Sequence, residues 1–472
     1  MNQFKNSALP VAIIGGGPVG LAAAAQLLKK GEKFIVFEAG ASVGSSVLEW
    51  GHVKMFSPWQ YNIDKAAKEF LKQSGWKSPD VEKIPTGREL AEEYLLPLWN
   101  LPEMKEHVIL NAIVVGVTKK GHDKLKDAQR ENVPFQIYAE VDGETKLFEA
   151  RAVIDSSGTW KNPNPILSNG IWTNAERRLK DQIFYGIPNV QELENRYANK
   201  NVMVIGSGHS AINALLDLAQ LQEKHSETAI YWVLRKKHIA EVYGGQENDG
   251  LPARGELGIR IQQLAESGKL TILTPFYVTE IASQNGKINI IGEINGEETS
   301  VGNVDEIVVS TGFRPDTSYI GEVRLSLDSA VESVEALAPL IDPNIHSCGT
   351  VRPHGEEELR QPEKDFYIVG MKSYGRAPTF LLATGYEQVR SVVAYLTGDF
   401  TAAKEVRLEL PETGVCSVNL KNCCDETMTP DTVTSNDSCK SASCSEKEPA
   451  LTNSCCGTSA PVKIEIKSKS CC

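Results

Sequence analysis

No cysteine precedes Cys348, and nine of the ten lie beyond residue 410. A secreted disulfide scaffold spreads its cysteines through the fold, so that class is excluded. The body of the chain has a single thiol, Cys348, and is not expected to need thiol chemistry of its own. An apolar run long enough to cross a bilayer is also missing. The most apolar early stretch, Val11 to Leu28, is broken by Gly15-Gly16-Gly17-Pro18. It lacks the basic start and small-residue cleavage site of a signal peptide. The expectation is a cytoplasmic protein without a membrane partner. There is no excess of positive charge: 49 Lys and Arg stand against 61 Asp and Glu, for a net charge of −12. Such a chain repels phosphate backbones, which excludes nucleic acid as a partner. From Pro411 to Cys472 there is no Phe, Tyr or Trp. A segment that cannot bury apolar surface does not offset its ordering entropy, so these residues are expected to be disordered without a ligand.

What is present is ordinary globular composition, 41% apolar and 23% charged. A length of 472 residues implies two or three domains. Up to about residue 400, strand-like apolar runs alternate with helical patterns, which implies an α/β fold with parallel sheets.

Val11-Ala12-Ile13-Ile14 reads as a buried strand and runs directly into Gly15-Gly16-Gly17-Pro18-Val19-Gly20, a G-x-G-x-x-G. A helical pattern, Leu21 to Lys30, follows. Gly15 permits the tight turn, Gly17 lets the backbone approach a pyrophosphate, and Gly20 lets the helix pack close to the strand. The pyrophosphate meets the free N–H groups of the helix N-terminus. A second strand, Lys33 to Phe37, ends in Glu38, placed to bind ribose hydroxyls and to repel a 2′-phosphate. This pattern suits FAD or NAD.

The pattern returns later. Asn201 to Ile205 is a strand, and Gly206-Ser207-Gly208-His209-Ser210-Ala211 is a G-x-G-x-x-A variant. Ser210 is a candidate cap and phosphate contact. His209 either faces a cofactor or packs. The next strand, Ala229 to Leu234, ends in Arg235-Lys236-Lys237 where the first unit carries Glu38. Arg235 and Lys236 suit the 2′-phosphate of NADPH.

With both fingerprints, the chain resembles the two-dinucleotide-binding-domain flavoproteins, the group of flavin-containing monooxygenases and thioredoxin reductases. Three further runs carry the resemblance: Thr311-Gly312-Phe313-Arg314-Pro315-Asp316, Ala152 to Gly158, and Phe366-Tyr367-Ile368-Val369-Gly370. It covers roughly residues 10 to 400. It implies two Rossmann-like domains: a discontinuous FAD domain (1–165 and 311–410) with an inserted NADPH domain (166–310), followed by a disordered Cys-rich tail (411–472). It implies FAD and NADPH as cofactors, Gly370 at the flavin, and electron transfer from NADPH through flavin to a second substrate. The chain also departs from the group. The C-x-x-C that thioredoxin reductases carry before the second fingerprint is absent from Phe184 to Val190. Met371 stands where many relatives place an Asp. The runs Glu49 to Trp59, Pro85 to Leu90 and Tyr243 to Asp249 resemble monooxygenase-like flavoproteins of arsenic-resistance operons. Trp50, Phe56 and Trp59 are candidates for the flavin pocket or for plain core.

The tail holds vicinal pairs Cys423-Cys424, Cys455-Cys456 and Cys471-Cys472. Thiolates are soft ligands, and neighbouring thiols on a flexible chain can gather around a metalloid or mercury ion. The C-x-x-C of a zinc knuckle is absent. Three functions fit: an NADPH-dependent monooxygenase of a trivalent arsenical or other soft substrate, a reductase of a small acceptor or metal ion, and a flavin-bound metalloid scavenger or sensor. An oligomer is compatible with each.

Overall fold

Val11-Ala12-Ile13-Ile14 has no polar alternation, which suits a strand covered on both faces. In a computed structural model describing residues 8–345 and 354–408, it forms β1 (Val11–Ile14), buried at every position. On one side β1 pairs in parallel with β2 (Phe34–Phe37), and β2 with β3 (Val108–Ile109). On the other it pairs in parallel with β7 (Ala152–Asp155), and β7 with β16 (Phe366–Ile368). The sheet order is therefore β16-β7-β1-β2-β3. One of its strands comes from more than 200 residues further along the chain than its neighbour. A single apolar cluster joins residues from Val11 to Ile154 with residues from Ile320 to Val393.

The helix Pro18–Lys29 links β1 to β2. Pro18 is tolerated at its first position because that N–H would have no partner anyway. Ala22 to Ala25 are all buried, and their small side chains let the helix lie close to the sheet and to the helix Leu382–Leu396.

A second sheet is also five-stranded and wholly parallel. Its strands are β8 (Ile183–Tyr185), β9 (Asn201–Ile205), β10 (Ala229–Val233), β11 (Leu270–Leu273) and β15 (Glu306–Val309), in the order β11-β10-β9-β15-β8. The helix His209–Lys224 connects β9 to β10. Two Rossmann-like units are thus present, and the fold is α/β.

Each unit also carries a three-stranded antiparallel meander that the alternating pattern does not announce. The first is β4 (Ala112–Lys119), β5 (Phe135–Val141) and β6 (Glu144–Ala150). The second is β12 (Tyr277–Gln284), β13 (Lys287–Ile294) and β14 (Glu297–Val304). The two chain crossings between the units lie side by side. Asn164 N donates to Gly312 O at 3.0 Å, Arg314 N donates to Asn162 O at 2.9 Å, and Pro163 bridges to Phe313. Among the described residues, no helix is long and apolar enough to cross a membrane.

One buried carboxyl ties the helix Pro18–Lys29 to its neighbour. Asp64 caps the helix Lys65–Gln73, accepting from Ala67 N at 2.9 Å, and accepts from Gln26 Nε2 at 3.1 Å. Burial pushes its pKa up to about 6, against the pull of those hydrogen bonds. The folded-state value lies above the unfolded one, so the group favours the native state most fully below pH 3.8 and loses that contribution as pH rises through about 6. Asp64→Asn keeps a capping side chain and removes the titration. Relative to wild type, the variant should gain up to about 3 kcal/mol of stability between pH 4 and pH 7.5. Melting curves of both proteins at the two pH values check this; a constant offset would refute the assignment.

Candidate functional site

In open α/β sheets a dinucleotide sits outside the carboxyl ends of the strands, where the chain order reverses. In the first sheet that point is β1, flanked by β2 and β7. Gly15 adopts φ +99°, a left-handed conformation that disfavours a side chain. A Cβ on it would lie 2.9 Å from Ser156 O. A Cβ on Gly20 would come within 1.9 Å of Gly15 O, so the helix can approach the strand only at a glycine. Gly17 differs: a Cβ there would meet nothing within 4 Å. The space over the helix N-terminus is open. No side chain caps that end, and its first turn carries no acidic residue. Unpaired N–H groups and the helix dipole therefore face open space, which fits a pyrophosphate.

Glu38 follows β2 and is nearly buried. Its Oε2 accepts from Gly16 N at 2.8 Å, and its Oε1 accepts from Gly40 N at 2.8 Å and Ser45 Oγ at 2.6 Å. These bonds fix the carboxylate beside the glycine loop. A carboxylate has about four acceptor positions, so capacity remains for sugar hydroxyls.

The second unit repeats the arrangement. Gly206 has φ +141°, and a Cβ on it would lie 2.3 Å from Ser310 O. Gly208 has no neighbour within 4 Å of that position. Ala211, the third position, is fully buried. The helix His209–Lys224 begins at Gly208 with no side-chain cap and no acidic residue in its first turn. Ser210 is thus not the cap suggested by its type: Gly208 holds the cap position and Ser210 is already inside the first turn. After β10, Arg235 is exposed and donates to Ser168 O at 3.3 Å. Lys236 donates to Glu241 O at 3.2 Å. Both cations stand at the strand end where the first unit has Glu38.

The aromatic residues of the 50–59 segment separate. Trp59 is fully buried core and Trp50 packs on the first cluster. Phe56 instead packs on the second unit's cluster, with its ring 4.8 Å from that of His209. Phe56 therefore stands at the second glycine loop, a correction to its grouping with Trp50 and Trp59. Burial pushes the His209 pKa down to about 4, with nearby Arg254 adding to the shift. The imidazole is neutral at pH 7. Arg254 itself forms a buried bidentate pair with Asp249, at 2.7 and 2.8 Å.

The flank of β7 and β16 carries a cluster that the sequence motifs did not single out. Lys372 and Asp155 are both wholly buried, with Nζ 2.7 Å from Oδ2. Lys372 Nζ also lies 2.6 Å from Tyr319 Oη and 3.2 Å from Ser157 Oγ. Tyr319 donates to Asp155 Oδ2 at 2.7 Å, and Ser157 Oγ donates to Oδ1 at 2.7 Å. Two residues earlier, Gly370 has φ +69°, and a Cβ on it would lie 3.3 Å from Val19 at the start of the first nucleotide helix. An acid at the end of a strand, Ile154-Asp155, and a lysine just past a strand-ending glycine were the available signals. Neither reads as a pair before β7 and β16 are seen side by side.

Cys423, Cys424, Cys455, Cys456, Cys471 and Cys472 lie outside the described residues. Among the described residues, no group of His, Cys, Asp and Glu is arranged to hold a metal ion.

Ferredoxin–NADP reductase of Streptococcus gordonii is 23% identical over 344 residues, covering 72% of this chain and 84% of that one. Bacillithiol disulfide reductase of Bacillus cereus superposes with a TM-score of 0.57 at 18% identity, covering 82% of this chain and 99% of that one. An ornithine N-hydroxylase of Kutzneria sp. 744 gives 0.56 at 15% identity, covering 83% and 100%. At these identities the solved structures attest the fold alone. Residues 12–348, which span both glycine cradles, match the pyridine nucleotide-disulphide oxidoreductase family, and the chain belongs to it.

Proposed function

We propose that this flavoprotein oxidoreductase is a monooxygenase-like enzyme that uses NADPH and FAD to oxidise a trivalent arsenical or another soft small molecule. FAD and NADPH are its cofactors. In this reading Gly15, Gly17, Gly20, Glu38 and Gly370 would hold FAD, within a domain formed by residues 1–165 and 311–410. Gly206, Gly208, Ser210, Arg235 and Lys236 would hold NADPH, on the domain formed by residues 166–310. When bound, FAD takes an electron pair from NADPH and passes it to a second substrate. The protein's part is to bind, orient and exclude water.

The observation that carries the reading is the absence of any cysteine from residues 8–345 and 354–408. Neither cradle, as described, contains a thiol pair, so no dithiol relay is built into them, and this reading has flavin pass its electrons to a diffusing acceptor. Oxygen is such an acceptor. One oxygen atom would join the trivalent arsenical to give the pentavalent acid and the other would leave as water, with NADPH and a proton supplying the electrons and hydrogen. The curated relatives named ferredoxin–NADP reductase favour a second reading, reduction of a small electron carrier or metal ion. The two differ in stoichiometry. NADPH oxidation under air with arsenite should yield one arsenate per NADPH; hydrogen peroxide in place of arsenate would support the reductase reading.

Coenzyme choice should rest on Arg235. Loss of a charge-assisted contact to phosphate costs about 1.5–3 kcal/mol. Arg235→Ala should raise the KM for NADPH by about ten- to a hundredfold and leave that for NADH nearly unchanged. Steady-state kinetics with both coenzymes decide, and equal effects on the two would count against the assignment.

The tail is read as a thiol-rich tether that concentrates soft ions near the site. Truncation after Glu409 should leave NADPH-driven flavin reduction intact and abolish tight binding of arsenite or mercury. A truncated protein that binds arsenite as tightly as the full chain would defeat the tether.

A further inference from the structure

The ring of Asp155, Lys372, Tyr319 and Ser157, buried at Asp155 and Lys372, belongs to neither glycine turn. Its position gives it a role. β1 is the central strand of its sheet, and Gly15 follows directly from it. Glu38, on the β2 side, meets sugar hydroxyls, and the open space at Gly17 takes the pyrophosphate. The other half of the dinucleotide must then run toward β7 and β16. Asp155 is the last residue of β7, in register with Ile14 and Ile368. Ser157 lies against the glycine loop, since a Cβ on Gly15 would approach Ser157 Cα to 2.9 Å. Of the four residues, only Ser157 is exposed.

The bonding within the ring orients that serine. An ammonium has three donors and no acceptor. Lys372 has three oxygen partners in range: Asp155 Oδ2, Tyr319 Oη and Ser157 Oγ. The Ser157 hydroxyl proton is turned inward to Asp155 Oδ1. Tyr319 Oη also lies 2.9 Å from Ser157 Oγ, but with the phenol proton given to Asp155 and one lone pair taken by Lys372, the exposed hydroxyl keeps one acceptor position. Tyr319 stays protonated, because burial and the adjacent Asp155 carboxylate raise its pKa well above the ordinary phenol value. The phenol is therefore a fixed donor to Asp155 and a fixed acceptor from Lys372.

We propose that Lys372 is a positioning residue for the flavin half of FAD. Through Asp155 and Tyr319 it locks the Ser157 hydroxyl as a hydrogen-bond acceptor for the ribityl–isoalloxazine portion. The inference rests on the first cradle being the FAD site, and the closing experiment separates the two.

Four variants test it: Ser157→Ala, Tyr319→Phe, the charge-neutral pair Asp155→Asn with Lys372→Met, and Glu38→Ala. Neutralising both partners together avoids leaving one buried charge unpaired, which would destabilise the fold for reasons unrelated to FAD. Apoproteins are titrated with FAD by flavin fluorescence, and separately with ADP-ribose, which carries the adenosine and pyrophosphate but no flavin. Ser157→Ala and the double variant should weaken FAD binding about tenfold, the loss of one hydrogen bond. They should leave ADP-ribose affinity and apoprotein melting unchanged within twofold and about 2 °C, respectively. Tyr319→Phe should weaken FAD binding less and shift the visible spectrum of bound flavin. Glu38→Ala should weaken FAD and ADP-ribose alike. If Glu38→Ala weakens both while the three ring variants bind FAD like wild type with an unchanged spectrum, the positioning role is overturned and the FAD assignment stands. If Glu38→Ala changes neither ligand, the site assignment falls, and the inference with it.

Discussion

Both cradles hang on a backbone-to-backbone approach at their glycine turns. Gly20 brings the first turn of its helix so close to Gly15 O that a methyl group would overlap that oxygen. In the second unit Gly206 matches Gly15, since a Cβ on it would lie 2.3 Å from Ser310 O, while the place of Gly20 is taken by the buried Ala211. Close packing is unforgiving at such distances, because neither backbone can yield as a flexible side chain would. The approach aims each helix N-terminus at the strand ends. It leaves open space at each helix N-terminus, since a Cβ on Gly17 or Gly208 would meet nothing within 4 Å.

From that shared frame the two units diverge electrostatically. The acid after β2 and the cations after β10 occupy equivalent places with opposite charge, a difference that would favour a free ribose at the first and a ribose phosphate at the second. The first cradle is further specialised by its far flank. There β16 returns to pair with β7, and Asp155 and Lys372, 217 residues apart in the chain, complete a buried ion pair. A buried pair is a weak source of stability but a strong constraint on geometry once its remaining hydrogen bonds are satisfied. In this ring the ammonium donors and both carboxylate oxygens have partners, so it ties β7 to the segment just past β16.

The two chain crossings are paired through Asn162, Asn164, Gly312 and Arg314. Phe56, from the first unit, rests on His209 at the mouth of the second cradle. A neutral histidine under an aromatic ring leaves that mouth without local positive charge from the imidazole. In the proposed reading, phosphate recognition there would fall to the helix N-terminus and to the strand-end cations.

Local sequence determined the elements that depend on short-range geometry. Strand, glycine turn and helix are contiguous in both fingerprints, so Val11 to Lys29 and Asn201 to Lys224 could be read directly from glycine spacing and apolar runs. The strand-end signs at Glu38 and Arg235 were equally legible. Three features were decided only by tertiary structure. The meanders β4–β6 and β12–β14 follow from pairing between strands, and their alternating patterns do not by themselves distinguish an added antiparallel sheet from another crossover. Phe56 left the company of Trp50 and Trp59, because spacing cannot say which of two cores an aromatic ring will enter. Asp155 and Lys372 became partners only when β16 paired with β7, since no rule of sequence separation brings an acid and a lysine together across an inserted unit.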